Sequence, residues 1–329
     1  MIAILSLLIA CSDASNVAEP VNPQITDAVT VDRTKLGAFQ PLPENFFIAD
    51  SSPSPELVSL GRRLFFETQL SADANMSCST CHNVAKDGAD EHKFSPGHKM
   101  HPVGRNSPTV FNAAGQIAQF WDGRAKTVEE QALGPILAAG EMAMPDAETV
   151  VEVLKADPTY VTAFSQAFPG VKDSLTFENI GAAIGAYERT LVTPSKWDAF
   201  LQGDDAALTD DEKRGLNTFI EVGCTACHNG ALLGGGSFMK LGVVEPWPNQ
   251  ADQGRFGVTG QETDRMVFKV APLRNSTETD PYFHDASAAS LGEAVTLMGK
   301  HQLGKTLTPE QVTDIVSFLG STKGNPKQF

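Results

Sequence analysis

The chain contains the pattern Cys-x-x-Cys-His twice, at Cys78–His82 and at Cys224–His228. Two thiols at this spacing can form thioether bonds with the two vinyl groups of one haem, and the adjoining histidine can then ligate its iron. A single copy would also fit half of a zinc site or a redox-active thiol pair. Two copies, each followed by asparagine, favour two covalently attached c-type haems.

Length and charge narrow the class of protein further. The 329 residues are enough for two domains, and one motif lies in each half of the chain. The formal net charge of -15 argues against nucleic acid and against an anionic membrane surface as partners. An acidic surface instead favours a small basic electron-carrier protein.

The N-terminus reads as an export signal. Residues 1–10 form an apolar run that is too short to span a bilayer. Leu8–Cys11 resembles the bacterial lipobox, in which the cysteine becomes lipidated, although no Lys or Arg precedes the run. An export signal without a lipid is the alternative. We predict a signal peptide over 1–10, a tether over 11–33, and a periplasmic protein that touches the membrane only through a lipid on Cys11.

Hydrophobic periodicity predicts a mainly α-helical fold with long loops that wrap the cofactors. Residues 83–125 and 230–288 are rich in glycine and proline and are predicted as loops, with one or two short strands around Met266–Val270. A capping box at Thr209–Glu212 predicts the start of a helix that leads into the second motif. The other helices are predicted over 55–66, 127–134, 146–156, 158–168, 177–191, 290–298 and 309–319.

The two halves resemble each other beyond the haem motifs. The matched pairs are Gly61–Phe65 with Gly215–Phe219, Arg105–Ser107 with Arg274–Ser276, Phe120–Gly123 with Phe283–Ala286, and Val128–Ala132 with Leu291–Val295. An internal duplication of a cytochrome-c-like haem domain explains their common order. We therefore predict an N-terminal haem domain over 34–195 and a C-terminal haem domain over 196–329.

The halves differ where an iron would find its second axial ligand. Pro135 in the first half aligns with Met298 in the second. Methionine sulfur raises the potential of a haem and suits electron transfer, so we expect His228 and Met298 to close the second haem. Met239 and Met266 are rival ligands. The first half instead carries polar candidates, namely His92, His98, His101, Gln131 and Glu141, which indicates one electron-transfer haem and one haem that meets a substrate.

These residues resemble the bacterial di-haem cytochrome c peroxidases over about residues 55–320. The matching stretches are Leu70–Ser71, Cys78–Asn83, Ser95–His98, Gly104–Thr109, Gln119–Ala125, Glu130–Gln131, Gly134–Pro135, Glu141–Met142, Cys224–Asn229, Leu273–Asn275, Tyr282–Asp285 and Met298–Gly299. One departure is Ala286, where the family often has glycine. The departure is expected to alter the geometry of the loop slightly.

The resemblance implies roles for individual residues around the first, peroxidatic haem. His98 is implied as a distal ligand that detaches when the second haem is reduced, whereas His92 and His101 are expected to be surface or structural residues. Glu141 and Gln131 are implied as the polar groups that act on hydrogen peroxide. The remaining roles implied by the family are an electron path through Trp121 between the haems and a calcium ion bound by Asn106, Thr279 and Pro281.

The resemblance therefore implies a peroxidase that takes electrons from a small cytochrome c or a cupredoxin, and a homodimer is an assembly that we leave open. Two alternatives remain. A related class of enzyme oxidises a side chain of a partner protein, but that class has tyrosine on its second haem, and Met298 argues against it. A protein that only transfers electrons would need both irons to be permanently six-coordinate.

Overall fold

The computed structural model describes residues 28–47 and 52–326. The predicted signal peptide, Cys11 and most of the predicted tether lie outside the described residues. Within the described residues, the chain is mainly helical, as predicted, and no helix is long and apolar enough to cross a membrane. Long irregular segments flank both Cys-x-x-Cys-His motifs.

The helices agree closely with the predicted ones. They are α1 (Pro55–Phe65), α2 (Cys78–Cys81), α3 (Val128–Leu137), α4 (Ala147–Lys155), α5 (Pro158–Ala167), α6 (Phe177–Glu188), α7 (Lys196–Leu201), α8 (Asp210–Val222), α9 (Phe256–Thr259), α10 (Leu291–Leu303) and α11 (Pro309–Gly320). Two short strands, β1 (Phe238–Lys240) and β2 (Val267–Lys269), pair antiparallel with Met239 opposite Phe268. The sequence does not predict α7 or the four-residue helices α2 and α9, and α10 continues to Leu303 rather than ending at residue 298.

The start and end of α8 fix the position of the second motif. The Thr209 hydroxyl accepts from the Glu212 amide at 3.3 Å, and the Glu212 carboxylate accepts from the Thr209 amide at 2.9 Å, which completes the predicted capping box. The helix ends at Gly223, whose φ of 102° is left-handed and favours glycine. Cys224 follows directly, so the cap delivers the motif at the end of a rigid helix.

Two hydrophobic cores organise the helices. One core gathers buried side chains from α1 and α3–α6. The other gathers side chains from α7, α8 and α11, including Trp197, which is fully buried. Leu36 and Phe39 also pack in this second core, although the predicted boundaries assign them to the N-terminal domain.

Each core contains a very close helix crossing at a glycine. A Cβ atom on Gly61 of α1 would lie 1.7 Å from the Ala183 carbonyl oxygen of α6. A Cβ atom on Gly215 of α8 would lie 1.9 Å from the Asp314 carbonyl oxygen of α11. Either distance is far below van der Waals contact, so the absence of a side chain lets the helices meet. Gly61 and Gly215 also correspond to each other in the match between the two halves of the sequence.

Local backbone geometry corrects one of the matched pairs. Phe120 and Phe283 both have left-handed φ angles, of 64° and 73°, in agreement with the predicted match. Asn275 has a φ of 60°, and its counterpart in local geometry is Asn112, with a φ of 58°, rather than the predicted Asn106. Arg105–Ser107 and Arg274–Ser276 have the same three residues but occupy different positions in their loops, whereas Asn112 and Asn275 share a backbone conformation. The duplication itself stays a prediction.

Candidate active site and haem cavities

The first motif lies in the wall of a large cavity of about 840 Å³. Helix α2 places Cys78 and Cys81 one turn apart on the same face, and both thiols are free. Burial raises the pKa of Cys78 to about 12, so it is a neutral thiol in the protein without its cofactor. Burial also lowers the pKa of His82, which keeps its imidazole in the neutral form that ligates iron.

Two of the predicted peroxide-binding residues line this same cavity. Gln131 projects from α3, and Glu141 comes from the turn that follows this helix. Burial raises the pKa of Glu141, while the nearby Arg124 guanidinium opposes that rise. Pro135 also lines the cavity. The structure therefore brings a carboxyl group and an amide to the cavity that contains His82.

His98 lies at the edge of this site rather than in its wall. Its Nδ1 is 3.3 Å from a carboxylate oxygen of Asp73, and its backbone amide donates to the Glu141 carbonyl at 2.9 Å. The adjoining Gly97 lines the cavity, whereas the His98 side chain is not among the lining groups. Lys99 has a left-handed φ of 52°. His92 and His101 are exposed, as expected of surface residues.

The second motif lines two adjoining cavities of about 180 and 120 Å³. Cys224, His228 and Met298 border both of them, and Cys227 borders the smaller. The His228 Nδ1 lies 3.0 Å from the Leu233 carbonyl oxygen, which fixes the ring and leaves Nε2 for a metal. Burial lowers the pKa of His228, so this imidazole is also neutral.

The rival methionines differ in their positions. Met239, on β1, borders the smaller of these cavities and is 36% exposed. Met266 is buried and packs against Trp247 and Phe268 in a small separate core. Met298 borders both cavities beside His228, on the helix that matches the one carrying Pro135.

Trp121 and Lys269 line all three cavities and therefore form a wall shared by the two motifs. The Trp121 indole donates to the Asn106 carbonyl at 2.9 Å, which fixes its orientation. Its ring also lies 6.3 Å from that of His284, edge to face, and His284 is 2% exposed. Trp121 thus borders the cavities of both motifs, and its role as an electron path stays a prediction.

Sequence reasoning did not single out two buried titratable side chains in these walls, Lys269 and Glu188. Lys269 is 7% exposed, and its only signal was a lysine within the apolar run Met266–Val270. Glu188, at the end of α6, is buried in the wall of the first cavity. Burial, and to a smaller extent the nearby Glu129, raises the pKa of Glu188 to about 8, so it is a neutral carboxyl at neutral pH.

The three predicted calcium ligands border the larger cavity of the second motif. The Asn106 side-chain nitrogen donates to the His92 carbonyl at 3.2 Å, and this bond does not involve the amide oxygen of the same side chain. Thr279 and Pro281 flank Asp280, which is joined to Pro281 by a cis peptide bond. The three residues thus lie near one another, with oxygen atoms as potential ligands.

The chemistry of both motifs fits a c-type haem. Each provides two free cysteines and a half-buried histidine with a lowered pKa beside a cavity. A zinc site would require a compact group of ligands, and in residues 28–47 and 52–326 no group of three or more His, Cys, Asp or Glu side chains could hold a metal ion. The geometry therefore favours haem over zinc at both motifs.

Comparisons with known proteins agree with this conclusion. The model of the di-haem cytochrome c peroxidase family matches residues 55–206. The chain is 46% identical to cytochrome c551 peroxidase of Pseudomonas aeruginosa over 293 residues, which cover 87% of this chain and 84% of the relative. The chain belongs to the di-haem cytochrome c peroxidase family. Membership implies two c-type haems and confirms the predicted class of enzyme, a cytochrome c peroxidase.

Two further similarities describe the breadth of the family. The chain is 34% identical to the methylamine utilization protein MauG of Methylorubrum extorquens, covering 91% of this chain and 88% of that protein. It is also similar to the crystal structure of a MauG-like protein associated with microbial copper homeostasis, with a TM-score of 0.75 and 27% identity. That similarity covers 86% of this chain and 93% of the other.

Proposed function

We propose that the chain reduces hydrogen peroxide in the first cavity with electrons that enter through the second. Each peroxide consumes two electrons and two protons and yields two molecules of water. One contrast between the cavities carries the proposal. The first contains the polar side chains Gln131 and Glu141 near His82, whereas the second contains Met298 beside His228.

The side chains of the first cavity supply the proton chemistry. When bound, a haem would provide the iron at which peroxide binds and electrons are exchanged. Cleavage of the O–O bond requires a proton to move from the inner to the outer oxygen, and the Glu141 carboxylate is suited to carry it. The Gln131 amide is suited to donate a hydrogen bond to the departing hydroxide. The raised pKa of Glu141 supports this role, because it brings the group closer to neutral pH.

A small cytochrome c or a cupredoxin would donate the electrons, a haem at the second motif would accept them, and Trp121 would lie on their path to the first cavity. The formal net charge of -15 supports a basic protein as donor, and the P. aeruginosa relative is named for a cytochrome substrate. Trp121 is suited to carry electrons because it borders the cavities of both motifs. Met298 would hold the iron of a haem at the second motif together with His228, since both border the same two cavities.

His98 would hold the iron of a haem at the first motif, and reduction of a haem at the second motif would release this side chain. The contact with Asp73 supports this step, since it gives the released imidazole a hydrogen-bond partner outside the cavity. The left-handed Lys99 beside it supports a loop that has more than one stable arrangement.

We further propose a calcium ion held by oxygen atoms of Asn106, Thr279 and Pro281, with water completing its coordination. All three residues border the same cavity, which supports a common site.

We place the protein in the periplasm, because attachment of haem to this motif in bacteria requires export. The lipobox-like Leu8–Cys11 supports an anchor through a lipid on Cys11.

Oxidation of a side chain in a partner protein is the alternative suggested by the similarity to MauG. Met298 beside His228 disfavours it, because the enzymes of that kind have tyrosine on the second haem.

Peroxide turnover with a reduced donor tests the proposal. Glu141→Gln should lower kcat at least 100-fold, because general acid–base catalysis contributes about 10²–10⁴-fold. Glu130→Gln is the matched control, since Glu130 is exposed on the preceding helix α3 and does not line the cavity. Full activity of Glu141→Gln would remove this residue from the mechanism.

A spectroscopic titration tests the function as a whole. In the half-reduced protein, the first haem should become high-spin and bind peroxide. A first haem that stays low-spin and binds no peroxide would instead make the chain a pure electron-transfer protein.

A further inference from the structure

Lys269 is the least expected charged group in the shared wall. It ends β2, and its backbone amide donates to the Trp121 carbonyl at 2.8 Å. Its side chain is buried and borders the cavities of both motifs. A lysine is rarely buried this deeply unless an anion offsets its charge.

The neighbours of the Lys269 ammonium group do not offset its charge. Nζ donates to the Gln116 side-chain oxygen and, at 2.9 Å, to the Ala118 carbonyl oxygen, and both acceptors are neutral. An ammonium group has three N–H donors, so one remains for another acceptor. In the part of the chain that the structure describes, no carboxylate forms an ion pair with this group.

The acidic group that attracts Lys269 is already paired. Asp122 is bound by Arg105 at 2.6 Å and by Arg124 at 3.1 Å. Burial lowers the pKa of Lys269 to about 7, and Asp122 opposes this shift only partly. An additional anion beside Nζ would restore the charged form.

The cofactors themselves carry such anions. In a c-type haem, the two propionate carboxylates lie on the edge of the ring opposite the thioether bonds. The haems bonded to Cys78 and Cys81 and to Cys224 and Cys227 therefore direct their carboxylates away from those cysteines. Lys269 borders both cavities and is not part of either motif, so it is available to such a carboxylate.

We propose that Lys269 binds a haem propionate through its third N–H group and thereby raises the reduction potential of that haem. A fixed positive charge beside the propionate favours the reduced haem, which has one positive charge fewer than the oxidised one. The inference depends on haem being present in both cavities and not on peroxide being the substrate.

The experiment compares Lys269→Met with Lys240→Met in the haem-loaded protein. Lys240 is exposed on β1, so its substitution removes the same charge from a solvated position. Haem content, the resonance Raman propionate-bending bands and the potential of each haem are measured on the same samples. Lys269→Met should shift a propionate band and lower the potential of one haem, and the haem affected is the one whose carboxylate Lys269 binds.

Two further variants cover the case in which Lys269→Met does not fold. Lys269→Arg keeps the charge and should retain the wild-type band and potential more closely than the neutral Lys269→Gln. If fully loaded Lys269→Met, or Lys269→Gln in its place, has the same bands and potentials as Lys240→Met, the proposal is overturned. Because haem content is measured separately, loss of haem is distinguished from loss of the contact.

Discussion

Asn112 and Asn275 hydrogen-bond to the same buried hydroxyl group, that of Thr193. The Asn112 amide donates to Thr193 Oγ1 at 2.7 Å, and Thr193 Oγ1 donates to the Asn275 side-chain oxygen at 2.9 Å. The Thr193 backbone amide in turn donates to the Asn112 side-chain oxygen at 3.0 Å. All three residues are nearly inaccessible to solvent, so one threonine joins the two matching loops.

Thr193→Val should therefore be costly to the fold. It keeps the shape of the side chain but removes the hydroxyl that pairs with the Asn112 side-chain nitrogen and the Asn275 side-chain oxygen, at about 1–3 kcal/mol for each buried atom left unpaired. We expect a loss of about 3 kcal/mol in the free energy of unfolding, measured by chemical denaturation. Thr190→Val is the control, because the Thr190 hydroxyl bonds only to the nearby Tyr187 carbonyl. Equal losses in the two variants would contradict a linking role for Thr193.

The buried ion pair of Asp198 and Arg274 predicts a second large effect. The guanidinium group donates to both carboxylate oxygens, at 2.8 and 2.7 Å, and Arg274 is 2% exposed. Asp198→Asn leaves this charge buried without its partner, which costs about 3–5 kcal/mol. Asp205→Asn removes an exposed partner of Arg33 and should cost at most about 1 kcal/mol.

The same pair predicts how stability depends on pH. Burial alone would raise the pKa of Asp198, but the Arg274 guanidinium and the backbone amides of Leu42 and Ser195 together outweigh burial and lower it. The folded state therefore binds this proton more weakly than the unfolded state, whose carboxyl has a pKa of about 3.9. The stabilisation is present above that pKa and is lost as the pH falls through the lower, folded value. The free energy of unfolding, measured by chemical denaturation over this acidic range, should depend less steeply on pH for Asp198→Asn than for the wild type.

Ala286 occupies a position where glycine should stabilise the fold at least as well as alanine does. Its φ of 52° is left-handed, and the matching residue in the first half is Gly123, with a φ of 70°. Relief of the left-handed strain, about 1–2 kcal/mol, offsets what Ala286→Gly loses in methyl packing and chain entropy. The variant should be at least as stable as the wild type in thermal unfolding. Ala288→Gly, two residues on and without a left-handed φ, should lose about 1 kcal/mol.

The ligand of the second haem is tested by comparing methionines. Met298→Leu should abolish the near-infrared thioether–iron band and lower the potential of the second haem, because a thioether ligand favours the reduced iron. Met239→Leu should leave both unchanged, although Met239 borders the same cavity. If Met239→Leu abolished the band instead, Met239 would be the ligand.

Local signals in the sequence were sufficient for most of the helices. Helix α8 was predictable because its capping box and its terminal glycine are written within the helix itself. Helix α7 was missed because Lys196–Leu201 is only six residues long and follows Pro194, so its periodicity is too short to read. Its stability comes from Trp197, which packs into a core built from distant parts of the chain.

The two haem motifs, together with the stretches that resemble the di-haem peroxidase family, identified most of the residues in the walls of the cavities. The contacts between these residues could not be predicted from the sequence. The pairing of His98 with Asp73 and the burial of Lys269 both depend on how loops fold over one another, which no local pattern encodes. The mismatch of Asn106 with Asn275 shows the same limit, since identical letters occupied different positions in the two loops.

The shared wall has a consequence for how such a sequence can change over time. Trp121 and Lys269 border the cavities of both motifs, so a substitution at either position alters two redox centres at once. Residues such as Gln131 or Met298 border the cavity of one motif and can vary with that centre alone. The chain can therefore acquire a new substrate or a new donor through substitutions in the cavity of one motif. A substitution of Trp121 or Lys269 must instead be compatible with both cavities.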